Sequence, residues 1–129
     1  MGQTIRIVNL LSIRHGSLLF VKKRDFWTFP GGKIKKGESD WECAIREQSE
    51  ELPKSSLDGK NVYFDKFYGL SPSGGRIEVI CYFGNIEGDI SPGAEISAAR
   101  RIPENKIFLY PLSAVTILIV EKLREGKFI

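Results

Sequence analysis

Residues 39–52 constrain the fold more than any other stretch of the chain. Trp41, Ala44, Ile45, Gln48 and Leu52 fall at i, i+3, i+4, i+7 and i+11, the spacing of one helical face. Glu47, Glu50 and Glu51 fall at i, i+3 and i+4 on another. Ser39 followed by Glu42 is a capping-box pattern. Pro53, with no N–H, ends the segment after Leu52. The chain therefore carries an amphipathic helix with an apolar face to bury and three carboxylates crowded into one turn.

The flanking segments read as strands. Thr4–Ile13 is rich in Ile, Val and Leu; His15-Gly16 is a turn and Ser17–Lys22 a second strand, making a hairpin. Phe26–Phe29 is a short aromatic strand stopped by Pro30-Gly31-Gly32. Asn61–Leu70 and Arg76–Ile86 flank a Ser-Pro-Ser-Gly-Gly turn, and Glu95–Ile102 is a further candidate. From Pro111 to about Lys127 a β-branched run competes with a helical alternation of charges that Gly126 would stop. Strands, helix, strands, helix is the order of a mixed sheet with helices packed on it.

Composition narrows the function. A 42% apolar fraction with 11% aromatics excludes a disordered chain, and 129 residues suit one domain, residues 1–129. No apolar run approaches the ~18–20 residues of a membrane span; Ala114–Val120 is the longest. The absence of a leader pattern and of paired cysteine spacings predicts a cytoplasmic protein, with Cys43 and Cys81 as small apolar residues. The formal charge is +3, but residues 38–51 hold six acids against Arg46, a local −5, leaving +8 elsewhere. With no basic run longer than three residues, this distribution argues for an acidic site on a basic protein and against a nucleic-acid or membrane partner.

Three like charges within one turn repel one another and raise one another's pKa. A divalent cation removes both effects, and oxygen-only ligands favour Mg²⁺ or Mn²⁺ over Zn²⁺. A Glu-rich helix can also be a solvated face, with Arg46 paired to Glu42 and Glu50. Here, however, Pro30-Gly31-Gly32-Lys33-Ile34-Lys35-Lys36-Gly37-Glu38 leads into it, and glycines let the backbone approach a ligand closely.

Gly32, five residues, Glu38, seven residues, then Arg46-Glu47-Gln48-Ser49-Glu50-Glu51 resembles the Nudix box, Gly-x5-Glu-x7-Arg-Glu-U-x-Glu-Glu-x-Gly-U with U aliphatic. Trp27-Thr28-Phe29-Pro30-Gly31-Gly32 resembles its usual lead-in. All six polar or glycine positions before the end of the box are present. Gln48, Pro53 and Lys54 depart from it; Gln48 puts an amide on the core face that needs a hydrogen-bond partner.

The resemblance implies an α/β fold, the Nudix α/β/α sandwich with a mixed β-sheet. It also implies Mg²⁺- or Mn²⁺-dependent hydrolysis of a nucleoside diphosphate linked to X. The small chain is most similar to members that cleave a nucleoside triphosphate to monophosphate and pyrophosphate. ADP-ribose, a dinucleoside polyphosphate, or a binding module without turnover are the alternatives, in a monomer or homodimer. By the same resemblance Glu47, Glu50, Glu51 and the Gly32 carbonyl hold metal, and Glu50 or Glu51 acts as base. Arg46 orients the carboxylates, and Glu38 pairs with it or binds a second metal. Glu95, in a Glu-Ile loop, is the candidate acid outside the box, with Glu78 and Glu87 competing. Lys23 and Arg24, ending the second strand, are the phosphate contacts. Asp40 and Glu42 are left as solvent-facing charge.

Overall fold

Unbroken burial from Val8 to Leu11, on both faces, makes the first strand a central one. In the computed structural model, which describes residues 3–58 and 60–129, it is β1 (Ile5–Leu11). Met1, Gly2 and Gly59 lie outside the described residues. The hairpin is β2 (Ile13–Arg14) turning through His15-Gly16 into β3 (Ser17–Lys23). The expected single strand over 4–13 is corrected here. Ser12 is fully buried; its carbonyl accepts from Leu19 N–H and its hydroxyl from Ile86 N–H. Held there, the chain leaves β1 in one sheet and places β2 in another.

The expected aromatic strand is β4 (Phe26–Thr28), which pairs with β3, but the glycines after it do not form a loop. Gly31–Lys33 is strand β5, antiparallel to β1, with Gly31 opposite Asn9 and Gly32 opposite Val8. Gly31 sits at φ +147°, and a Cβ there would lie 1.8 Å from the Val8 carbonyl oxygen. Helix α1 (Asp40–Glu51) follows. Beyond it come β6 (Ser55–Leu57), β7 (Val62–Leu70), β8 (Arg76–Phe83), β9 (Ile86–Gly88), β10 (Ala98–Pro103) and helix α2 (Ala114–Glu125). The ambiguous last segment is thus helical. The strand expected from Glu95 begins only at Ala98. The β6–β9 ribbon and a 3₁₀ turn over Glu104–Leu109 were not signalled by periodicity.

The main sheet runs β5-β1-β8-β7, with β1 and β8 parallel and the other pairs antiparallel. The second runs β10-β3-β2, with β4 on β3. Val8 and Leu10 share one cluster with Cys43, Ala44, Leu52 and Ile86. Ile5, Ile7, Val79 and Cys81 share the other with Val115, Ile119 and Leu123. The two helices therefore cover opposite faces of the main sheet, the mixed α/β layering expected. No helix among the described residues is long and apolar enough to cross a membrane.

The buried face of α1 is rotated from the one expected. Cys43, Ala44, Gln48, Glu51 and Leu52 are buried, whereas Ile45 is 46% exposed and Trp41 packs edge-on against Tyr82. The cause is β5, which packs beside the helix and draws Cys43 and Glu51 inward. Gln48 finds its partner: its amide donates to the backbone carbonyl and hydroxyl of Ser55. Asp40 is not free in solvent; it accepts from the Tyr82 hydroxyl and lies 3.6 Å from Arg6. The capping box forms in full, Ser39 accepting from Glu42 N–H and Glu42 from Ser39 N–H. Ser39→Ala is expected to lower stability by about 1 kcal/mol, seen as an earlier denaturation midpoint at unchanged slope.

Candidate functional site

The acidic turn of α1 faces the ends of β3 and β5, and two internal cations divide its carboxylates. Arg46 takes the first group. Its Nε and Nη2 donate to the two Glu38 oxygens at 2.6 and 3.0 Å. Nη1 donates to Glu47 at 2.9 Å and reaches Glu50 at 3.4 Å, and Nη2 also donates to the Lys33 carbonyl. Glu38, rather than Glu42, is thus the main partner of Arg46. The guanidinium, with help from Lys35 N–H, holds the Glu38 carboxyl down at about 2. The bidentate contact fixes the direction in which Arg46 presents its remaining donors.

Lys23 takes the second group. Its ammonium donates to Glu51 Oε2 at 2.7 Å and to the Gly31 carbonyl at 2.6 Å, while Gly31 N–H donates to Glu51 Oε1 at 3.1 Å. The result is a closed ring of three residues from β3, β5 and α1. The Glu51 side chain is 5% exposed and that of Lys23 33%. Burial pushes the Glu51 carboxyl up to about 7, against the downward pull of Lys23 and the Gly31 amide. A carboxyl held above its ordinary 4.5 destabilises the ionised fold, and that penalty is relieved as pH falls through the interval from about 7 to 4.5. In EDTA the melting temperature is expected to rise as pH drops from about 8 to about 5. Glu51→Gln should flatten that slope, and an equal slope in the variant would contradict the burial of this charge.

Three expected positions are refined. The carbonyl facing the acidic group is that of Gly31; the Gly32 carbonyl accepts from the Cys43 thiol at 3.5 Å. Burial raises that thiol to about 11, so Cys43 stays protonated. Gly32 instead makes room: a Cβ there would sit 2.4 Å from the Glu47 carboxyl carbon. Lys23 points into the carboxylates, whereas Arg24 occupies an exposed turn at φ +56°. Glu95 is exposed, but its loop is tied to the end of α1 by Gly93 N–H donating to the Glu51 carbonyl. Its rivals are engaged elsewhere, Glu78 with Arg6 and Lys66, and Glu87 with Asn85.

Periodicity gave no sign of a hydroxyl chain, Thr28 to Thr116 at 2.9 Å and Thr116 to Ser113 at 2.6 Å, joining β4 to the start of α2. Nor did it mark the Lys23–Glu51 pair, whose members meet only through tertiary folding.

The residues fit a hard divalent cation in their donor chemistry. Glu47, Glu50, Glu51 and Gly31 offer only oxygen, and the ammonium of Lys23 already occupies a place between two of those oxygens. Among the described residues no three acid, His or Cys side chains close on one point; Arg46 and Lys23 take up their oxygens instead.

The family model described as NUDIX domain matches residues 3–122. Among curated proteins none matches the chain by sequence. Solved structures share its fold. The MutT NUDIX hydrolase from Burkholderia pseudomallei superposes with a TM-score of 0.81 at 20% identity, covering 92% of this chain and 97% of that one. A UDP-X diphosphatase gives 0.77 at 15% identity, covering 98% and 66%. The NUDIX domain of Shewanella oneidensis NrtR, complexed with ADP ribose, gives 0.73 at 17% identity, covering 98% and 90%.

Proposed function

The chain belongs to the Nudix family of pyrophosphohydrolases, and from that premise we propose that it cleaves a nucleoside triphosphate to monophosphate and pyrophosphate with Mg²⁺ or Mn²⁺. The observation that carries the reading is the division of the acidic turn, with Glu47 and Glu50 held by Arg46 and Glu51 held by Lys23 and the Gly31 backbone. Glu47, Glu50, Glu51 and Gly31 would hold the metal, which when bound neutralises phosphoryl oxygens and acidifies the attacking water.

Arg46 keeps Glu47 and Glu50 aimed at one place, and Glu38 keeps Arg46 there. Glu50 is the carboxylate with freedom to accept the water's proton. Its side chain is 46% exposed and its contacts to Arg46 Nη1 are 3.4–3.5 Å, whereas both Glu51 oxygens are engaged. Lys23 and Arg24, at the end of β3, meet the polyphosphate, and Glu95 stands beside the helix end as an auxiliary acid. The single domain works as a monomer or homodimer.

ADP-ribose is the second reading, favoured by the likeness of the whole fold to a Nudix domain that holds it. A panel of nucleoside triphosphates, ADP-ribose, nucleotide sugars and dinucleoside polyphosphates, incubated with Mg²⁺ or Mn²⁺ and resolved by chromatography, separates these readings. Labelled water then identifies the phosphorus attacked. No turnover of any compound, with nucleotide still bound, would identify a binding module in place of an enzyme.

A further inference from the structure

We infer that Lys23 is a built-in place-holder cation, which fills the metal cradle when no metal is bound and swings out to the substrate phosphates when one arrives. The inference rests on the metal-dependent reading above and adds a competition to it. The ammonium contacts one carboxylate oxygen, Glu51 Oε2, and one carbonyl oxygen, that of Gly31. These are hard donors of the kind a divalent ion uses. They cannot serve the ammonium and a metal at full occupancy together.

Glu51 gives the arrangement its purpose. A carboxylate with a 5% exposed side chain, at the end of a helix carrying Glu47 and Glu50, is costly without a cation. Lys23 supplies one from the neighbouring strand and keeps β3, β5 and α1 in register before metal arrives. Its position also lets it leave. It is the last residue of β3, a third exposed, on a flexible four-carbon stem, beside the open turn at Arg24. Once displaced, the same Nζ is next to the cradle and unpaired, so loading the metal creates the positive contact that a polyphosphate needs.

The test measures metal and stability apart from turnover. Mn²⁺ binding is followed by titration calorimetry and by paramagnetic resonance of the free ion, at low and high salt, on the full chain. Lys23→Met and Lys23→Gln, which also keeps a donor for the Gly31 carbonyl, should bind Mn²⁺ about tenfold more tightly than wild type. The gain should survive high salt, where through-space repulsion is screened. In EDTA Lys23→Met should melt roughly 5 °C lower, and saturating Mn²⁺ should close the gap. Lys33→Met, a nearby charge whose side chain lies outside the ring, should leave Mn²⁺ affinity within about twofold.

Unchanged or weaker Mn²⁺ binding in both Lys23 variants, with Glu51→Gln losing it, would overturn the place-holder and leave the metal site standing. An equal gain in Lys33→Met would overturn it too. Mn²⁺ binding by none of the proteins, or undiminished binding by Glu51→Gln, would overturn the metal reading itself.

Discussion

Glu50→Gln is expected to fold like the parent and to lose metal-dependent hydrolysis almost entirely. The fold tolerates it because Glu50 is half exposed and its contacts to Arg46 are long, so an amide costs little there. The chemistry does not tolerate it. On the proposed mechanism, substitution would remove a negative ligand and a proton acceptor while leaving Arg46, Glu47 and Glu38 where they are. Loss of several kcal/mol of charge stabilisation corresponds to about 10³-fold or more in kcat. Circular dichroism melts together with chromatographic assay of nucleoside monophosphate release provide the measurement. Full activity in a folded Glu50→Gln protein would sink the assignment of the acidic turn as the catalytic centre.

The second large effect falls on stability. Gly31→Ala should lower it by more than about 4 kcal/mol, the range in which a small domain loses its native state. Three features combine. The residue sits at φ +147°, which an L side chain rarely adopts; a Cβ would lie 1.8 Å from a backbone oxygen of β1; and its N–H and carbonyl complete the ring with Glu51 and Lys23. The neighbouring Gly32→Ala is the control. There the clash is with the end of a flexible side chain, Glu47, which can turn aside. That variant should remain folded, with hydrolysis reduced on the order of 10–100-fold, as when a supporting contact of a metal ligand is lost. If denaturant titration shows the two alanines equally mild, the close packing of β5 on β1 is wrong.

The contrast also shows what was legible beforehand. Spacing alone identified the acidic helix, its serine cap, its proline stop and the three clustered carboxylates, because these are properties of one contiguous turn-by-turn pattern. It placed Gln48 in need of a partner that Ser55 supplies. It missed what depends on a second segment. Gly31–Lys33 reads as a loop until β1 lies alongside, and Ile45 reads as core until β5 turns the helix. Lys23 reads as a phosphate contact until folding places Glu51 against it. That the Gly31 carbonyl meets Lys23 while the Gly32 carbonyl meets the Cys43 thiol was hidden for the same reason: backbone direction in a strand follows its pairing partner, not its composition.

The parallel register of β1 with β8, Ile5 opposite Ile77 through Leu11 opposite Phe83, has a kinetic consequence. The middle of the main sheet is built from segments some 70 residues apart, so its closure entropy must be met before the pairing rewards it. On the ribosome β1 emerges roughly 4–14 s before its partner. During that interval an apolar strand waits with one edge paired at best to the short β5. A refolding rate governed by this single long-range pairing, and aggregation that begins from the nascent amino-terminal third, are what such a topology entails.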